Sequence, residues 1–383
     1  MIVIVLIFTK NDTITVKVDG VRYAVSVNGV TESSFPAKGS YQVSVECENA
    51  SSNWNYEKWV AEIYNITGEV SCNISFDGFE SITLASKIKS LIQSGQTTVA
   101  STSFDDGSTL EIINSALDTG ATSNDYRYRG VNPNNYIRFN DELWRIIGVF
   151  DQYSHGQTGQ ELTKIIRDDS IGDYVWDNVS PYNNWEDSYM INLLNTGYYN
   201  SANGTGEAYC YHNESSLTGK CDFTSKGIKE AYKSMIQNAT WYLGGFSSPS
   251  VTSADIYKYE RYSDTTNTTY YRSGNATKVE DKPIGLMYAS DYGYASPSTC
   301  TSNLNRYSDS GCADSNWLQS FVYERTIMSR SSNSEIVSML LENYFGFTSA
   351  YIPATIRPVL YLKSNVYYIS GDGSPTNPYV IGM

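Results

Sequence analysis

Histidine is nearly absent from this chain: His155 and His212 are the only two in 383 residues. That scarcity argues against zinc sites, which usually recruit imidazole, and against serine or cysteine hydrolases, which need a base beside the nucleophile. Neither histidine has a recognisable Ser or Cys nucleophile motif beside it, and no Gly-x-Ser-x-Gly occurs. No glycine-rich phosphate loop appears either. Positive charge is also short. Lys and Arg total 27 against 41 Asp and Glu, for a net charge of -14. Such a surface repels phosphate backbones and anionic lipid, which excludes nucleic acid and polybasic membrane attachment. Charged residues make up 18%, below the roughly 25% of an average soluble domain. Polarity comes instead from Ser, Thr, Asn and 33 tyrosines, a neutral-polar composition suited to the outside of a cell.

The six cysteines contain no Cys-x-x-Cys. They fall as three near neighbours, Cys47 with Cys72, Cys210 with Cys221, and Cys300 with Cys312. Three local disulfides are the favoured reading, which places the chain in an oxidising compartment; six unpaired buried thiols are the alternative. Long apolar runs are missing as well. Residues 1–8, MIVIVLIF, are too short to span a bilayer, which needs about 20 residues as helix. They also lack the basic start and cleavage site of a signal peptide. Two readings stand: the last part of a membrane anchor, which is favoured, or a buried first strand.

What is present centres on residues 126–150, YRYRGVNPNNYIRFNDELWRIIGVF. Ile137 and Phe139 alternate with Tyr136 and Arg138, the period of two of a half-buried strand. Asn140-Asp141 tolerates turn dihedrals. The return, residues 143–150, is apolar on both faces except for Arg145, which predicts a central strand covered on both sides. A third strand is expected at residues 162–167, completing an antiparallel meander. Residues 355–362 should rejoin that sheet.

Short alternating strands with turns at Asp19-Gly20, Asn28-Gly29 and Thr67-Gly68 predict an all-β sandwich over residues 10–77. Cys47 and Cys72 bracket Trp59 like an immunoglobulin core, although their spacing is short for the usual inter-sheet bridge. Trp54 and Trp59 read as core. Residues 78–122 read as a connector, with helical spacing at Ile82–Ile92, a shorter helical run over 110–117 and Ser/Thr-rich sequence between. Residues 123–383 read as an α+β head. Its helices are expected after Asn184, after a Thr224 cap and over residues 335–343 behind a Ser334 cap. Long irregular loops, above all 246–281, separate them, and loops of that length are usually functional.

The motifs YRYRGVNPNNYIRFN, ELWRIIGVF, WYLGG, PIGLMYASDYGYA, NWL, IRPVLYLKSNV and GDGSPTNPYVI, in that order, resemble a family of uncharacterised Gram-positive bacterial surface proteins. The resemblance covers about residues 123–383, and the stretch from ECENASSNWNYEKWVAEI to GEVSCNISF more loosely. It implies surface display, in some relatives through a prepilin-like or single-helix N-terminal anchor, in others with the module following an immunoglobulin-like domain. It carries no catalytic residues. The order of elements is also similar to that of C-type-lectin-like domains. The fold expected is thus an all-β, immunoglobulin-like module followed by an α+β, C-type-lectin-like domain.

Several side-chain groups could carry chemistry. Asp168, Asp169 and Asp173, or Asp105 and Asp106, offer hard oxygen ligands for calcium, though neither group is an EF-hand loop. Otherwise no cofactor is expected. Asp168, Asp169, Asp173 and Glu186 also supply the pair a carboxylate glycosidase needs, with solvated loop charge as the plainer explanation. Arg145 and Arg357 interrupt apolar strands and must be paired; Asp291 is one candidate partner. The tyrosines carry the main functional signal. Tyr257, Tyr259, Tyr262, Tyr270 and Tyr271 stand among Ser, Thr, Asn and Gly, followed by Tyr292 and Tyr294 around Asp291; Tyr182 and Trp185 have similar surroundings. Rigid amphipathic rings among small polar residues suit a paratope-like surface or sugar binding. The expectation is an extracellular protein with a ligand-binding head on a stalk, its partner a glycan or a protein. A self-assembling, pilus-associated subunit is second and a glycosidase third.

Overall fold

The computed structural model describes residues 4–5, 21–36, 41–56, 59–78, 82–92, 101–103, 108–177, 183–204, 221–319, 323–333, 336–341 and 344–383. The protein is mostly β, with several antiparallel sheets. It divides into two compact units. One comprises Met1–Thr83, Tyr367–Ser370 and Ile381–Met383; the other comprises Leu84–Val366 and Gly371–Val380.

In the first unit a three-stranded sheet runs in the order Ile4–Val5, Val60–Tyr64, Ser51–Asn55. A four-stranded sheet runs Val30–Glu32, Val21–Val27, Val70–Gly78, Tyr41–Glu48. Asn28 and Gly29 both adopt positive φ, 50° and 78°, as a tight hairpin turn requires. Both sheets feed one core, in which Trp54, Ala61 and Ile63 meet Val25, Ile74 and Phe76. Trp54 lies edge-on to Phe35, Trp59 and Phe76, with ring centroids 5.1–5.2 Å apart. Cys47 and Cys72 are bonded and stand directly opposite one another on adjacent strands of the four-stranded sheet. An immunoglobulin core bridge joins two sheets; this one closes within a single sheet. Ile4 and Val5, from the apolar start of the chain, pair with Ile63 and Glu62 and so lie in a sheet. No helix among the described residues is long and apolar enough to cross a membrane.

The second unit is built on a sheet ordered Ile236–Gln237, Val359–Leu362, Leu162–Arg167, Glu142–Phe150, Thr122–Arg129, Thr109–Ala116, Ser101–Ser103, with Tyr136–Phe139 paired to Glu142–Phe150. The hairpin turns at Asn140 and Asp141, at φ 59° and 61°. Glu142–Phe150 is central. Trp144, Ile146 and Phe150 are completely buried, as its apolar composition predicts. A second sheet runs Asp173–Tyr174, Ala354–Thr355, Glu324–Ser329, Ile336–Leu341, Tyr344–Ser349.

Four expectations are corrected here. Residues 335–343 were expected to be helical, but Ile336–Leu341 is a strand paired with Tyr344–Ser349. Residues 110–117 were also expected to be helical; Thr109–Ala116 is a strand in eight-residue register with Thr122–Arg129. In both, strand pairing overrides a short apolar run whose spacing suits either structure. Behind Thr224 only one helical turn forms, Glu230–Lys233, with Lys229 rather than Thr224 at its N-cap. Residues 246–281 are not one irregular loop, because they carry the helix Ser253–Glu260, closed by a Thr252/Asp255 capping box.

The NPNN motif has a structural role. Arg145 Nε donates to Asn135 Oδ1 at 2.7 Å, and Nη2 donates to Asn132 Oδ1 and the Pro133 carbonyl. Its guanidinium lies over the rings of Tyr136 and Trp317. Arg357 is paired bidentately with Glu324, at 2.7 and 2.9 Å. Asp291 therefore serves different cations.

Candidate polar pocket and tyrosine stack

Asp291 sits at the helix Ala289–Ala295, where it closes a capping box on the Tyr288 backbone N–H. It is 1% exposed. Arg127 Nη1 reaches its Oδ1 at 3.0 Å and Lys164 Nζ its Oδ2 at 2.5 Å. Arg127 also pairs with Asp125, and Arg261 with Glu260, which accepts from the Ser290 backbone and hydroxyl. Three cations and three carboxylates thus meet with no exposed side chain. Burial pushes the Asp125 and Glu260 carboxyls up. Burial also pulls the Lys164 ammonium down to about 8, against the attraction of Asp291. The Asp291 carboxyl is held below its ordinary value: burial opposes this, but Lys164 and Arg127 outweigh it. This network ties the helix to the central sheet and presents nothing to a ligand.

The tyrosines separate into two groups. Tyr257, Tyr271, Tyr292 and Tyr294 are buried. Tyr257 donates to Ser123 Oγ at 2.7 Å, Tyr271 to the Tyr262 carbonyl at 2.6 Å and Tyr292 to Gln319 Oε1 at 2.6 Å; the Tyr294 hydroxyl shares a bond with Ser115. A ring enclosed this way has no face left for a partner. Alternating polar surroundings in sequence gave no sign of it, because the Tyr257, Tyr292 and Tyr294 hydroxyls find their partners far along the chain. Tyr259, Tyr262 and Tyr270 are the other group. They are half-buried and stack, with the Tyr270 centroid 4.5 Å from Tyr259 and 4.3 Å from Tyr262. The WYLGG motif makes room for them. A Cβ on Gly244 would stand 2.2 Å from the Tyr259 carbonyl oxygen, so only glycine lets this segment approach the helix end.

Two residues past Tyr270 the chain enters the wall of a pocket of about 430 Å³. One wall is the turn of Arg272, Ser273, Gly274 and Asn275, with Gly274 at φ 90°. The opposite wall carries Asp177, Asn184, Asp187 and Tyr189. Side-chain amides stitch the walls together. Asn275 Nδ2 donates to Asn183 Oδ1 at 2.9 Å, the Ala276 N–H donates to Asn184 Oδ1, and Asn184 Nδ2 donates to Asp187 Oδ2 at 2.8 Å. Asn183 is anchored in turn to the carbonyls of Arg330 and Asn333. Trp185 is 2% exposed and packs on Trp176 at 5.0 Å, so it braces this wall from inside. The Ser188 hydroxyl caps the following helix, Tyr189–Asn192. The pocket's carboxylates, guanidinium, amides and phenol can together donate to and accept from a hydroxyl-rich molecule. Asp177, Asp187 and Arg272 were missed from sequence; they lie in polar stretches with no motif, and only the amide stitching brings them together.

The remaining candidates lie apart. Asp168 is half-buried, Asp169 and Asp173 are exposed, and Asp173 accepts from the Thr355 hydroxyl. Among the described residues no group of three or more His, Cys, Asp or Glu could hold a metal ion. Glu186 is exposed. His155 is fully buried; its Nδ1 accepts from the Gln157 N–H and its Nε2 donates to the Phe150 carbonyl. Burial lowers its pKa to about 4. With both nitrogens engaged it cannot serve an external substrate. Tyr182, His212, Asp105, Asp106 and Cys210 lie outside the described residues. Cys300 and Cys312 are bonded, and Cys221 is also in a disulfide. These bridges point to an oxidising, extracellular setting. Compared with protein-family models, with curated proteins and with solved structures, the chain matches none.

Proposed function

We propose that this is a bacterial surface protein whose second unit binds a hydroxyl-rich ligand, most simply a glycan, in the polar pocket, with the tyrosine stack extending the contact face. The observation that carries this is the pocket itself: about 430 Å³, within the range of about 300–1,000 Å³ usual for small-molecule sites. It is lined by groups that donate and accept hydrogen bonds, and the exposed parts of Tyr259, Tyr262 and Tyr270 supply aromatic area on the same stretch of chain. Carbohydrates need that combination of directional polar contacts and a ring to lie on. The finer fold reading, an immunoglobulin-like stalk carrying a C-type-lectin-like head, belongs to this proposal. It is supported by the two-sheet core of the first unit and by the loop-rich second unit, while the bridge within one sheet departs from the immunoglobulin pattern.

The test is glycan-array screening of the whole chain, followed by calorimetry of any hit with the wild type and with Asp187→Asn and Arg272→Met. Loss of about tenfold or more in affinity in both variants, with unchanged melting temperature, is expected. Absence of any glycan hit, or hits indifferent to both substitutions, rejects the pocket reading. Two carboxylates, Asp177 and Asp187, line the same pocket, which favours hydrolysis as a second reading; release of reducing ends from the bound glycan distinguishes it. Self-assembly into a filament is the third reading. Tyr344–Ser349 ends its sheet's strand order and could template pairing.

A further inference from the structure

The buried arginines of the second unit share one habit: each guanidinium has partners that account for its charge or its donors. Arg127 has Asp125 and Asp291, Arg129 has Glu111, Arg167 has Glu142, and Arg261 has Glu260. Arg145 is held by amides and a carbonyl.

Arg325 breaks the pattern. It is 1% exposed on the strand Glu324–Ser329. Its Nη2 donates to the Ile352 carbonyl, while Nε and Nη1 have no hydrogen-bond partner among the described residues. No carboxylate pairs with it among the described residues. Its neighbour Glu324 cannot help, because successive side chains on a strand point to opposite faces and Glu324 is already engaged by Arg357. Burial alone sets its ionisation, pulling the pKa down to about 9 with no opposing charge. At neutral pH the guanidinium still carries its proton. A buried cation with two idle donors is costly to keep unless an anion completes it.

The carbonyl that meets Nη2 belongs to a turn whose Ala350 carbonyl accepts from the Trp176 and Asp177 N–H groups. This turn spans residues 349–352 and is closed by the Ile352 N–H to the Ser349 carbonyl. Tyr351, within it, is exposed. We propose that Arg325 anchors an anion site that takes a carboxylate from a ligand outside the chain, reached by lifting this turn and displacing the Ile352 carbonyl. A carboxylate fits better than a spherical ion, because it can accept two parallel N–H bonds from the planar fork. Nη2 has a second hydrogen, so Nη1 and Nη2 together present such a pair. The strand stays paired while the turn moves, so binding needs no unfolding of the sheet.

The proposal is independent of the pocket reading, since it rests on a different residue and a different ligand chemistry. The test melts the whole chain in carboxylate-free buffer with added sodium acetate, sodium glucuronate, glucose or sodium chloride, the salts at equal ionic strength. A saturable rise of roughly 5 °C is expected at about a hundredfold excess over Kd. A rise with both acetate and glucuronate identifies any carboxylate as sufficient; a rise with glucuronate alone identifies an acidic sugar as the source. No rise beyond that of chloride and glucose overturns the site, whatever the variants do. Arg325→Met should abolish the response and melt no lower than wild type without ligand. Arg325→Lys keeps the charge but loses the fork, and should bind about tenfold more weakly. A carboxylate response retained in Arg325→Met, or undiminished in Arg325→Lys, overturns the assignment.

Discussion

Lys164 and Asp291 are 127 residues apart in sequence, yet their side chains meet at 2.5 Å with neither exposed. Arg127 holds the other oxygen of the same carboxylate. Asp291→Ala therefore strands the buried Lys164 and takes from Arg127 one of its two carboxylates, Asp125 remaining, whereas Lys164→Met leaves Asp291 its Arg127. We expect Asp291→Ala to cost about 3–5 kcal/mol and Lys164→Met distinctly less. Urea denaturation of both variants checks the order; equal losses would show that Arg127 does not share the carboxylate's charge.

That network was not legible in the sequence. SDYGYA reads as a polar, tyrosine-rich loop, and nothing local says that Asp291 faces a lysine on a strand far upstream. The central sheet was legible, because Asn140-Asp141 fixes its hairpin and the apolar return strand leaves no choice but burial. Residues 336–341, IVSMLL, were misread because a short apolar run behind a serine satisfies helix and strand spacing alike. Only the partner strand Tyr344–Ser349 decides between them.

The two groups of tyrosines should respond oppositely to substitution. Tyr270→Ala removes the middle ring of the half-buried stack, so ligand affinity should fall about thirtyfold while the fold is kept. Tyr292→Phe removes the hydroxyl that donates to Gln319 Oε1, so stability should fall by about 1 kcal/mol with binding unchanged. Calorimetry and thermal melting on the two variants make the comparison. A binding defect in Tyr292→Phe alone would reverse the assignment.

His155 gives the protein an acid-sensitive core. Its folded pKa is about 4 against an ordinary 6.5. Between those values the unfolded chain takes up a proton that the folded one refuses, so stability rises with pH across this window. The contribution is intact above about pH 6.5 and lost as pH falls towards 4, on the order of 3 kcal/mol in all. His155→Gln should flatten the stability profile between pH 6.5 and 4. An unchanged slope would assign the acid sensitivity to other groups.

The cysteines should be unreactive. Iodoacetamide applied to the unfolded, unreduced chain should label none of the six, and peptide mapping should link Cys221 to Cys210. Removing the bridge between Cys47 and Cys72, 25 residues apart, should cost about 3.5 kcal/mol in the chain-entropy model. Labelling of any cysteine before reduction would contradict the pairing.

The same bridge has a mechanical consequence. Because Cys47 and Cys72 join neighbouring strands of one sheet, a pull along the chain passes through the sulfur atoms and bypasses everything between them. Residues 48–71 stay slack under tension, which withholds about 80 Å of contour length from extension. The strands Ser51–Asn55 and Val60–Tyr64 lie wholly inside that protected loop. Half of the first unit's core is thereby shielded from shear, and a reductant would release it as a discrete lengthening step.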